Sequence, residues 1–103
     1  MRLATALATA LMLATLTGGS ASAAEPVVAN LRAAIEKKVK FVAGGTIFQC
    51  EGTQCVAARP NYRTITLEAC QQLSRRFGAI ERLGDARRSL SAEKLAACNG
   101  SRA

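Results

Sequence analysis

The chain has 103 residues, 50% of them hydrophobic and 4% aromatic, with a formal charge of +7. That is enough for one small domain and excludes multidomain enzymes, solenoid arrays and polytopic membrane proteins. No histidine is present, which removes imidazole acid–base catalysis and mixed Cys/His metal sites.

The first segment reads as an export signal. Arg2 is the only charge before Glu25, and an apolar Ala/Leu/Thr run follows it over residues 3–16. Thr17-Gly18-Gly19-Ser20 then breaks the run, and Ala21-Ser22-Ala23 supplies a small-x-small cleavage site. The alternative is an uncleaved anchor, but the run is short against the ~30 Å of a bilayer core. The expected organisation is therefore a signal peptide over 1–23, an N-terminal segment over 24–38 and a stapled domain over 39–100. Loss of Arg2 leaves thirteen cations against seven anions, a charge of +6.

Residues 24–38 admit two readings. Leu31, Ala34, Ile35 and Lys38 suit a helix capped by Asn30, whereas the β-branched residues that follow favour extension. Next, Val39-Lys40-Phe41-Val42-Ala43 and Thr46-Ile47-Phe48-Gln49-Cys50 are separated by Gly44-Gly45, a hairpin signal. Folding there places Phe41 opposite Phe48 and Val39 opposite Cys50 on one face. Val42 then meets Ile47, and Lys40 meets Gln49, on the other. One long strand bulged at the glycines is the competing reading.

Four cysteines in a short exported chain form a disulfide framework. Chain entropy does not select the pairing. Cys50–Cys55 with Cys70–Cys98 is worth roughly 2 and 3.5 kcal/mol, and the nested Cys50–Cys98 with Cys55–Cys70 roughly 4 and 3. Geometry does select. A turn at Gly52-Thr53 makes Cys50 and Cys55 a cross-strand pair within disulfide reach. Cys70 falls on a helix capped by Thr66, with Leu67, Leu73 and Phe77 on the same stripe and Gly78 at its end. Cys98 falls on a second short helix after Ser91, three residues from Leu95. Residues 79–83 between the helices read as a strand, and 86–90 are ambiguous. The fold class is thus α+β: a small antiparallel sheet covered by two short helices and stapled by disulfides. Nineteen large apolar or aromatic residues make a small core, so the staples matter.

No constellation carries chemistry. C-x4-C across a hairpin differs from the C-x-x-C of redox enzymes, and the spacings do not match zinc knuckles. The seven carboxylates form no acid–base pattern, and no phosphate loop is present. No cofactor or metal is implied. The arginines are scattered without interleaved aromatics, so nucleic acid is not expected as a partner. The surface candidates are Arg59, Tyr62 and Arg63, where Tyr62 is either a contact point or a cover for the core edge.

Phe41-Val42-Ala43-Gly44-Gly45, Cys50-Glu51-Gly52, Cys55, the helix with Cys70, Gly78, Leu95 and Cys98-Asn99 together resemble a family of short exported four-cysteine proteins of alphaproteobacteria with no assigned activity. The resemblance covers roughly residues 39–99, and Phe48 stands where the family pattern has tryptophan. It implies export and transfers no catalytic residue.

The expected function is a periplasmic or secreted non-enzymatic domain that binds an envelope protein or an anionic polymer, and does not span the membrane once the signal is removed. One alternative is a small exported inhibitor or effector of a specific enzyme, and a second is a thiol-disulfide redox protein. Intact-mass measurement of periplasmic material should place the N-terminus at Ala24 or Glu25. A full-length mass from the membrane fraction would favour the anchor instead.

Overall fold

A computed structural model describes residues 25–100, so the expected signal over 1–23 lies outside the described residues. The elements are β1 (Val27–Ala43), β2 (Thr46–Ala57), α1 (Leu67–Phe77), β3 (Ile80–Gly84) and α2 (Ala92–Gly100). They form a three-stranded antiparallel sheet in the order β2-β1-β3, carrying two helices and two disulfides, an α+β architecture.

The domain begins earlier than the expected boundary at residue 39. Residues 27–38 belong to β1, and Val27, Ala29 and Leu31 alternate into the core at strand spacing. Local pattern left this segment open because its partners lie far along the chain. Val28, Ala29 and Asn30 pair with Gly84, Leu83 and Arg82 of β3 on one side and with Val56, Cys55 and Gln54 of β2 on the other.

The Gly44-Gly45 hairpin has the expected register, with Phe41 opposite Phe48, Val39 opposite Cys50, Val42 opposite Ile47 and Lys40 opposite Gln49. Both glycines have positive φ, 58° and 76°, as a two-residue turn matching strand twist requires.

β2 is a single strand by range, yet it doubles back at Gly52. Five extended steps would cover about 17 Å, but the Cα atoms of Cys50 and Cys55 are 3.9 Å apart. Four residues back from Cys50 is Thr46, and four on from Cys55 is Arg59. The Thr46 hydroxyl donates to the Arg59 carbonyl at 2.8 Å. Both contacts fit one antiparallel register, so 46–50 lies beside 55–59. Gly52, at φ 61°, provides the reversal. β1 arches around this tip: its start pairs with the end of β2, Ile35 meets Gly52, and 39–43 pairs with 46–50. The two register shifts along β1 absorb that detour.

The helices cover the face that carries Phe48, Cys50, Cys55 and Leu83. In α1 the Thr66 hydroxyl accepts the Ala69 N–H at 3.1 Å, and Glu68 sits in the positive first turn. Cys70 and Leu73 are fully buried, with Leu67 and Phe77 half-buried against the core. Ala69 and Ser74 widen the buried face beyond the expected stripe. In α2 the Ser91 hydroxyl accepts the Lys94 N–H at 3.2 Å. The helix continues through Asn99, whose side chain accepts the Ile80 N–H and donates to the Ile80 carbonyl, both at 2.9 Å. The ambiguous 86–90 segment returns to the sheet: Ser89 bridges Gly84, and the Leu90 N–H donates to the Leu83 carbonyl.

Cys70–Cys98 ties α1 to α2, and Cys50–Cys55 closes the β2 reversal. The first encloses a long loop around a helix too short to hold alone, while the second encloses a turn that Gly52 already favours. Cys70→Ser/Cys98→Ser should therefore melt well below Cys50→Ser/Cys55→Ser in thermal denaturation. The reverse order would show that the β2 clip carries more of the fold than the helix staple.

Candidate functional site

The segment between β2 and α1 carries Arg59, Tyr62 and Arg63, and its shape is set by short polar side chains. The Asn61 N–H donates to the Thr64 hydroxyl at 2.8 Å, and the Asn61 carboxamide oxygen accepts the Arg63 N–H at 2.7 Å. The Thr64 N–H returns to the Asn61 carbonyl at 3.1 Å. Thr64 is fully buried, so this turn is anchored from below. The Thr66 hydroxyl, besides capping α1, donates to the Arg63 carbonyl at 2.8 Å.

The Gly44-Gly45 turn locks onto the same loop. The Gly44 N–H donates to Gln72 Oε1 at 2.8 Å, and Asn61 Nδ2 donates to the Gly45 carbonyl at 3.3 Å. A Cβ on Gly44 would stand 2.6 Å from the Arg63 carbonyl oxygen and 2.8 Å from the Ala69 methyl. Backbone therefore packs where a side chain cannot.

On this base Tyr62 is 88% exposed. It does not cover the core edge; Ile65, three residues on, is the residue that packs against the core. Arg63 stays beside Gly45, with its guanidinium over the turn. Arg59 and Tyr62 line different hollows. Arg59 borders a depression of about 370 Å³ with Lys40, Thr46, Ile47 and Gln49. Tyr62 borders one of about 220 Å³ with Pro60, Ile65, Asp85 and Arg88. The Asp85 carboxylate accepts the backbone N–H groups of Arg88 and Arg87, at 2.9 and 2.8 Å, which holds its pKa below the usual carboxylate value.

The structure thus brings the three surface residues onto one stiff loop but not into one pocket. Sequence reasoning passed over Asn61 and Thr64, which build the loop. The signal was present as Asn-x-x-Thr, a spacing that lets an Asx turn close on itself. It also passed over a second cationic group. Arg76 stacks over the rings of Phe77 and Phe41 at 5.2 and 5.9 Å, and those rings meet edge-on at 5.4 Å. The predicted pairing of Cys50 with Cys55 and Cys70 with Cys98 is present, and all four residues are buried.

A family model described as "Family of unknown function (DUF8200)" matches residues 5–100. The chain belongs to this family. No curated protein and no solved structure matches it. The DUF8200 match spans both disulfides, the pinned loop and most of the apolar run over residues 3–16. Among the described residues of this DUF8200 chain, no helix is long and apolar enough to cross a membrane.

Gly44→Ala adds both a steric clash and a disfavoured φ, together worth about 2–3 kcal/mol. Denaturant unfolding should record that loss, and amide exchange should speed up at Arg63 and Thr64. Unchanged protection of those amides would mean that the turn does not hold the loop.

Proposed function

We propose that this DUF8200 chain is a non-enzymatic binding domain, exported to the periplasm or beyond, that grips a partner protein of the envelope through Tyr62 flanked by Arg59 and Arg63. One observation carries the reading: a tyrosine 88% exposed on a loop held by its own hydrogen bonds and by the Gly44-Gly45 turn. An ordered aromatic loses little entropy on contact, and tyrosine and arginine are the usual interface anchors. Two disulfides are compatible with an oxidising compartment, and the apolar run over residues 3–16 followed by Ala21-Ser22-Ala23 is the sequence basis for export.

The stiffness of the loop also favours the second reading, a small exported inhibitor or effector that inserts Tyr62 into one target. A thiol-redox role has less support, because exchange needs an accessible sulfur and all four cysteines are buried. The test is a photo-crosslinking residue placed at Tyr62 in cells, with one at exposed Glu93 as control. Position 62 should yield a discrete adduct that position 93 does not. With the captured protein purified, Tyr62→Ala should weaken its binding at least tenfold without shifting the melting temperature. Equal adducts at both positions, or an indifferent Tyr62→Ala, would remove the loop from the interface.

A further inference from the structure

The two free sides of the sheet are not alike. On β3 outward backbone groups are engaged: Asn99 takes both groups of Ile80, the Leu90 N–H donates to the Leu83 carbonyl, and the Asp85 N–H donates to the Arg88 carbonyl. At the other side lies the second half of β1, residues 39–43. Its inner edge pairs with 46–50 of β2, and among the described residues no strand pairs with its outer edge. The pair that closes a two-residue turn, Ala43 with Thr46, is the hydrogen-bonded kind, and the ladder alternates from there. Lys40 and Val42 therefore point their backbone N–H and C=O groups outward.

Cations flank this edge on both faces. On the open face, Lys38 and Lys40 border a depression of about 230 Å³ with Gln49 and Glu51. On the helix face, Arg75 and Arg76 border one of about 290 Å³ with Phe41 and Gln72. Arg76 is held beside the strand by its stack on Phe41. Val42, 62% exposed, adds an apolar contact. Unpaired ladder groups between two cationic rims suit a peptide strand whose acidic side chains alternate to either face. A second copy does not suit the edge, because pairing two such edges would set Lys38, Lys40, Arg75 and Arg76 against themselves.

We propose that the 39–43 edge of β1 accepts an extended acidic segment of a partner protein as an added strand. This rests on the reading of the chain as a protein-binding domain and gives it a second contact, distinct from the Tyr62 loop.

The probe is a capped ten-residue peptide repeating Glu-Glu-Val-Val, which as a strand sends glutamates to both faces, titrated into the purified oxidised chain and followed by amide NMR. Shifts should concentrate at residues 38–43, and affinity should fall as salt rises. N-methylation of alternate peptide nitrogens should weaken binding at least tenfold, and so should Lys40→Glu/Arg76→Glu. Val42→Pro removes an outward N–H and leaves the inner ladder intact, and it should do the same. Tyr62→Ala should leave peptide binding unchanged. Equal binding of the N-methylated peptide, or shifts centred on residues 59–63, would overturn the proposal. So would polyphosphate binding at this edge with none by the peptide, or self-association of the chain. Loss of peptide binding alongside a specific Tyr62 crosslink sinks the edge alone; the converse sinks the loop alone.

Discussion

The fold depends on β1 serving two ladders at once. Its first residues lie between the end of β2 and β3, and its last residues pair with the start of β2. A chain this short has few large apolar groups, so stability comes from concentrating them on one continuous sheet face. β1 achieves this by arching around the Gly52 tip, with Ile35 folded back against the core at the crossing. The Cys50–Cys55 bridge lies at the neck of that tip, so the arch encircles an object that cannot open.

The helix layer completes the core and closes one edge. Leu73 packs over Phe48, Ile80 and Leu83 in one buried cluster, and Cys70–Cys98 draws the C-terminal helix onto it. Asn99 then acts like a missing strand by satisfying both backbone groups of Ile80. An unpaired edge is an invitation to association, and this one is shut by a side chain and a returning loop. The opposite edge is short and lysine-bearing, a form that resists indiscriminate pairing while remaining open to an acidic strand.

Polar order and surface charge are divided in space. Asn61, Thr64 and Thr66 spend their hydrogen bonds on the loop that presents Tyr62, while the Arg76–Phe41–Phe77 stack stiffens the far edge. The exposed Arg32–Glu81 pair, at 3.3 Å, contributes little against water and salt. The rigid features of this molecule are therefore built from short-range hydrogen bonds, ring contacts and sulfur bridges rather than from ion pairs.

The sequence by itself determined the features set by turn chemistry, helix caps and side-chain periodicity. The Gly44-Gly45 turn and its register, the Thr66 and Ser91 caps, the cysteine pairing and the α+β class all follow from turn chemistry and periodicity. Only the tertiary structure decided the course of residues 27–38, because a strand flanked on both sides is defined by partners about 25 and 55 positions away along the chain. The Asn99 contact, the exposure of Tyr62 and the cationic edge were settled at the same level. Each depends on which surfaces remain uncovered after packing, and local pattern carries no record of that.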